Sequence, residues 1–192
     1  MLIGILALQG AVEPHEEKLK QLGVSSRRVI QSKDLIGLSG IILPGGESST
    51  MLHLLKLHGL WDDLKAFVDK NPAWGLCAGS ILLANEVSSP SQDSLKALDI
   101  GIIRNAYGRQ TESFISVLQP TSEWTDPEAA EGVFIRAPKI SRVGTQVKIL
   151  FTFGGEPVMV QSNFTLASTF HPELTDSNKL HEYFVKLCQE TK

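Results

Sequence analysis

The chain has 192 residues, 42% hydrophobic and 20% charged, and this length suits one domain, 1–192, that buries roughly 70% of its unfolded surface around a single core. A net charge of -3 gives no basic footprint for nucleic acid, and no run of 18 apolar residues offers a membrane span. The two cysteines are too far apart to read as a disulfide framework or a zinc set, so a reducing, cytoplasmic setting is expected.

The apolar run 1–8 lacks a positive leading region and is too short for a signal core, so 2–8 reads as a first strand buried on both faces. Val12, Leu19 and Leu22 then share one helical face, and Gly23 closes that helix. A short strand is expected near 28–30 and another at 41–43, ending at Pro44-Gly45-Gly46-Glu47-Ser48. Residues 51–57 and 60–68 carry helical periodicity, and Asn71-Pro72 breaks it before a strand that starts at Ala73. This alternation predicts a doubly wound α/β sheet with ligands at the carboxyl ends of its strands. Residues 88–94 read as a polar surface loop. Further strands are expected at 114–118, 132–135, 147–151, 158–161 and 165–168, which extend the sheet or form an antiparallel flap. A closing helix over 178–189 puts Leu180, Phe184, Leu187 and Cys188 on one face, with Cys188 in the core.

Within this frame, Gly75-Leu76-Cys77-Ala78-Gly79 has the pattern of a nucleophile elbow. A sharp strand-to-helix turn strains the apex residue and needs small neighbours two positions to either side. Such a turn exposes the thiol above the sheet at a helix N-terminus, whose partial positive charge favours the thiolate. Five residues alone also fit a buried structural cysteine. A thiol that transfers acyl groups needs a base and a group that orients the base. His171-Pro172-Glu173 supplies both types. Proline holds His171 extended, and positions two apart on an extended segment share a face, so Glu173 can orient the imidazole. His15, His53, His58 and His181 lack such support and read as helix-surface or partly buried residues; none has metal-ligand spacing. The Gly45-Gly46 pair can bring a backbone N–H to a developing oxyanion, although it also suits a plain turn.

Taken in order, Leu8-Gln9-Gly10-Ala11-Val12, Leu43-Pro44-Gly45-Gly46-Glu47-Ser48, Cys77-Ala78-Gly79, Arg104-Asn105-Ala106-Tyr107-Gly108-Arg109-Gln110, Phe134-Ile135-Arg136-Ala137-Pro138 and Phe170-His171-Pro172-Glu173-Leu174 span nearly the whole chain. Together they resemble the glutaminase subunits of pyridoxal 5'-phosphate synthases, which are class I glutamine amidotransferases. The resemblance implies a three-layer α/β/α sandwich, flavodoxin-like, with a mostly parallel central sheet. It implies a Cys77-His171-Glu173 triad, with L-glutamine met by Gly46, Glu47, Ser48, Arg104, Ile135 and Arg136. The oxyanion would be held by N–H groups near Gly46 and Ala78. It also implies hydrolysis of glutamine through a γ-glutamyl thioester and delivery of ammonia to a partner (β/α)8 synthase subunit in a hetero-oligomer. No cofactor or metal of its own is implied.

Ser80 departs from the aliphatic residue expected after the elbow, and Leu76 from a small or polar one. Two other readings remain: a glutaminase subunit serving another pathway, or a non-catalytic, DJ-1-like cysteine sensor. A sensor thiol, however, needs no oriented base.

Overall fold

The computed structural model describes residues 1–104, 106, 113–126 and 130–191. Its first half alternates strands and helices: β1 (Leu2–Leu6), α1 (Val12–Gln21), β2 (Ser25–Val29), β3 (Gly40–Leu43), α2 (Ser48–Leu57), α3 (Trp61–Val68), β4 (Ala73–Leu76) and α4 (Ala78–Leu83). The second half is mostly strands: β5 (Ala84–Ser88), β6 (Leu98–Ile103), β7 (Phe114–Val117), β8 (Gln119–Pro120), β9 (Glu131–Phe134), β10 (Lys139–Val143), β11 (Lys148–Phe153), β12 (Glu156–Ser162) and β13 (Thr165–Ser168). Helix α5 (Lys179–Glu190) follows.

The central sheet runs β2-β1-β3-β4-β13-β12-β11-β8, parallel from β2 through β13 and antiparallel beyond it. Burial on both faces explains the unbroken apolar runs of β1, β3 and β4. Ile3, Ile5, Ile42, Trp74, Leu76 and Leu166 face one way, into a cluster with Leu19 of α1 and Leu180 and Phe184 of α5. Ile41, Leu43 and Ala167 face the other way, against Met51 and Leu55 of α2, Leu64 and Val68 of α3, and Leu82 of α4. The result is the three-layer α/β/α arrangement with a mostly parallel sheet.

The later strands both extend the sheet and build a flap. β11, β12 and β13 join the central sheet, whereas β7 and β9 form a separate two-stranded sheet. A three-stranded sheet of β10, β6 and β5 had no counterpart in the sequence reading. Its strands are hard to read because Asn85 and Glu86 make β5 polar and Gly101 interrupts the apolar run of β6. β5 reaches Ser88, where the expected surface loop begins. Helix α2 starts at Ser48 rather than at 51 because the Glu47 carboxylate accepts from the N–H groups of Ser49 and Thr50, capping it from one residue upstream. Among the described residues no helix is long and apolar enough to cross a membrane.

Candidate active site

The chain turns at Cys77, which leaves β4 and caps α4 with φ 46 and ψ -103, in the left-handed region that costs a side-chain-bearing residue energy. Sterics at the two neighbouring glycines make the turn possible. A Cβ on Gly75 would lie 2.5 Å from the Gly79 carbonyl oxygen, and one on Gly79 would overlap the Leu43 carbonyl. The strained residue is held from both sides. Its N–H donates to the Ser168 carbonyl at 2.8 Å, joining the elbow to β13. Its carbonyl accepts from the Ile81 N–H at 3.3 Å and from the Ser80 hydroxyl at 2.6 Å. Ser80 is fully buried, so this bond satisfies a hydroxyl that an aliphatic residue would not have brought. Leu76, the other departure, is fully buried in the cluster under α1 and α5.

His171 follows β13, and its N–H donates to the Val133 carbonyl at 2.8 Å, which ties it to β9. Its ring lies so close to Gly45 that a Cβ there would collide with Cε1. His171 Nδ1 is 2.7 Å from Glu173 Oε1. The expected pair is present, but by a different local geometry: Pro172–Leu174 form a 3-10 turn rather than an extended segment. Proline at the first position of that turn is pre-set for it, and the curl, not strand alternation, returns the Glu173 carboxylate to the ring.

Electrostatics follow from these contacts. Burial alone would lower the pKa of His171, but hydrogen bonds to Cys77 and Glu173 and the charges of both push it up to about 10. Burial likewise works to raise the Glu173 pKa, yet the bond to His171 and the nearby His15 and His171 hold it below the ordinary carboxylate range. A thiol, a charge-stabilised imidazole and a buried carboxylate therefore stand in line.

The line opens into a cavity of about 320 Å³. Gly46, Glu47, Ser48, Cys77, Ala78, Arg104, Ile135, Arg136 and His171 all line it, while Glu173 sits behind His171. Segments separated in sequence thus meet at the carboxyl ends of the parallel strands, where this architecture places ligands. Glu47 is already engaged: Ser49 and Thr50 donate to it and Arg104 pairs with it at 3.2 Å. Against the opposing effect of its partial burial, those donors hold its carboxyl down to about 2. The Ser48 hydroxyl donates to Gln92 at 3.0 Å rather than pointing at an unoccupied partner. Arg136 adopts φ 45 and is exposed, and among the described residues no carboxylate pairs with it. Asn105 and residues 107–110 of the arginine motif lie outside the described residues.

Two features escaped the sequence reading. Gln9 lines the cavity and accepts the Glu47 N–H at 2.9 Å, a position signalled by the Leu8-Gln9-Gly10 segment but given no role. His15 and His181, expected at helix surfaces or partly buried, are fully buried and 2.9 Å apart. Their helices are remote in sequence, so no local pattern could pair them. A second depression of about 290 Å³ beside α5 is lined, among the described residues, by no cysteine or histidine.

The model of the SNO glutamine amidotransferase family matches residues 5–190. The pyridoxal 5'-phosphate synthase subunit PdxT of Deinococcus radiodurans is 48% identical, over 99% of this chain and 98% of that protein. That of Dictyoglomus turgidum is 47% identical, over 99% and 100%. A crystal structure of a glutamine amidotransferase superposes with a TM-score of 0.89 at 41% identity, covering 97% of this chain and 98% of the other. A glutamine amidotransferase of Thermotoga maritima, at 16% identity over 98% and 84%, shares the fold with a TM-score of 0.61.

Proposed function

The chain belongs to the SNO glutamine amidotransferase family, and from that premise we propose that it is a single glutaminase domain, 1–192, serving as the glutamine-hydrolysing subunit of a pyridoxal 5'-phosphate synthase. The observation that carries the reading is the buried alignment of Cys77, His171 and Glu173, with His171 Nδ1 2.7 Å from the carboxylate. Nδ1 serves Glu173, which leaves Nε2 for the thiol.

In this reading His171 takes the Cys77 proton, and the thiolate attacks the side-chain amide carbon of L-glutamine. Charge develops on the amide oxygen. The N–H groups of Gly46 and Ala78 receive it; Ala78 opens α4, where the first N–H groups have no partner within the helix. The imidazolium protonates the departing nitrogen, ammonia leaves, and a γ-glutamyl thioester remains. Water then attacks the thioester with His171 as base, releasing glutamate and restoring the thiol. Arg136 meets the substrate carboxylate, since its guanidinium is exposed and has no carboxylate partner among the described residues. Glu47 and Arg104, with Gly46, Ser48 and Ile135, frame the remaining polar groups of glutamine. Ammonia goes to a barrel-shaped synthase subunit in a hetero-oligomer. Passage between subunits keeps it unprotonated, because ammonium has no lone pair with which to attack.

The test is glutamate release by wild type and Cys77→Ala, each with and without the synthase partner. Equal release by the two proteins would sink the assignment. A sensor would bind no glutamine, so excess glutamine should protect Cys77 from a glutamine-derived electrophile only if the glutaminase reading holds.

A further inference from the structure

Two histidines that the chemistry above does not use form a chain leading to its carboxylate. His15 lies on α1 and His181 on α5, both fully buried, with the Trp74 ring edge-on to each. His15 Nδ1 and His181 Nε2 are 2.9 Å apart, and His15 Nε2 faces Glu173 Oε1 at 3.9 Å. Among the described residues His15 Nε2, His181 Nδ1 and Glu173 Oε2 have no hydrogen-bond partner. A purely structural core would be better served by apolar side chains, because polar atoms left unpaired in the interior are costly.

Proton bookkeeping sets the direction of this pair. A neutral imidazole carries one N–H, and one proton lies between the two rings. Were it on His15 Nδ1, the Nε2 lone pair of His15 would point at an anionic oxygen. With His181 donating from Nε2, His15 keeps its own proton on Nε2 and turns an N–H toward Glu173. Only the second arrangement sets opposite signs face to face.

We propose that His15 and His181 are positioning residues for the triad: His181 fixes the tautomer of His15, and the His15 N–H holds the Glu173 carboxylate oriented and ionised behind His171. The 3.9 Å separation exceeds a hydrogen bond. The N–H therefore acts as a dipole on a buried charge, in surroundings that screen poorly. Neutral rings suit this role, since a charged His15 would compete with His171 for the carboxylate. Burial is the main reason both pKa values fall to about 3; at His15 Glu173 opposes it while His181 and His171 add to it, and at His181 the Lys18 ammonium adds to it. The charged and titratable groups facing the pair are thus Glu173 and His171 from the segment after β13 and Lys18 from α1. The Lys18 ammonium is anchored on the carbonyls of Thr175 and Ser177.

This inference rests on the glutaminase reading, and the experiment separates the two. In the complex with the synthase partner, kcat and KM for glutamine are measured against pH for wild type, Cys77→Ala, His15→Leu, His15→Gln, His181→Leu and His181→Gln. A Gln side chain brings its amide nitrogen near the place of Nε2 and restores a donor. His15→Leu is expected to lower kcat about tenfold with KM unchanged, a fraction of what general acid-base groups contribute. It should also move the alkaline limb of kcat to lower pH, because His171 loses support for its proton. His181→Leu should do the same about threefold, and each Gln variant should recover most of the loss. Wild-type kinetics in His15→Leu, a loss carried by KM, an unmoved alkaline limb, or equal loss in Leu and Gln variants would each overturn the proposal. If His15→Leu fails to fold, as seen by circular dichroism, the two His181 variants decide by the same criteria. Wild type indistinguishable from Cys77→Ala would instead overturn the glutaminase reading.

Discussion

The two walls of the cavity are built on different principles. On the Cys77 side the His171 and Glu173 side chains are 9% and 0% exposed, and the elbow is locked by contacts with no slack at Gly75, Gly79 and Ser168. On the opposite side Glu47 is 52% exposed, paired with an Arg104 that is 13% exposed, and Arg136 is open to solvent. Groups that move protons need one geometry and a poorly screened setting, which burial provides. Groups that meet a zwitterionic substrate must exchange partners when it arrives, which suits a solvated, ion-paired rim.

That contrast is exposed most severely by Glu173→Gln. With the anion gone and the imidazole tautomer no longer set, kcat for glutamate release should fall by roughly 10² to 10⁴ while KM changes little. A loss confined to KM would mean the buried wall binds substrate rather than moving protons.

Acid should attack the same wall next. His15 and His181 have folded-state pKa values near 3, mainly through burial, against 6.5 unfolded. Between those values the unfolded chain binds the protons, so their contribution to stability is complete above about pH 6.5 and is lost as pH falls toward 3. Linkage makes the loss at pH 5 roughly 2 kcal/mol for each ring. Glu173, whose pKa is depressed, adds to the same trend at still lower pH. His171 contributes in the opposite sense: its raised pKa stabilises fully below 6.5, and that contribution fades as pH rises through about 10. Thermal melting against pH should therefore fall steeply below about 6.5, and a His15→Leu/His181→Leu double variant should flatten the fall. An unchanged slope would show that these rings are not the groups responsible.

Gly79→Ala probes the elbow by sterics alone. The added methyl meets the Leu43 backbone carbonyl, which cannot rotate away, so roughly 3 kcal/mol or more should be lost. Melting should drop by roughly 6 to 12 °C, whereas an unaltered midpoint would mean the turn has more room than its geometry implies. The smallest effect is expected on the rim. Arg136→Ala should raise KM for glutamine about tenfold with kcat nearly unchanged and the melting temperature intact. If it lowered kcat as much as Glu173→Gln does, the two walls would not differ in kind.

Much of this was legible in sequence because it depends on neighbours along the chain. The Gly75-Leu76-Cys77-Ala78-Gly79 spacing reflects a local steric demand, and the structure shows both glycines meeting backbone that leaves no space for a side chain. The parallel half of the sheet announced itself through apolar runs covered on both faces. His171 and Glu173 are close enough in the chain to be paired from sequence, although a proline-started 3-10 turn, not strand alternation, brings them together. The strands β5, β6 and β10 were missed because polar residues and Gly101 dilute their pattern. Glu47, expected from the resemblance to meet glutamine, also caps α2 and pairs with Arg104 in the fold, which no local pattern announces.

Sequence alone thus determined the class of fold and singled out the residues proposed as nucleophile and base, since backbone sterics at the elbow and proline beside the histidine act over a few residues. Tertiary structure decided what surrounds them. Only the packing of α1 and α5 on the same face of the sheet brings His15 to His181 and His15 in turn to Glu173. Only the convergence of strand ends sets Glu47 against Arg104 and leaves Arg136 facing the cavity. Those contacts join segments far apart in the chain, and their energies depend on burial and charge that the folded molecule alone provides.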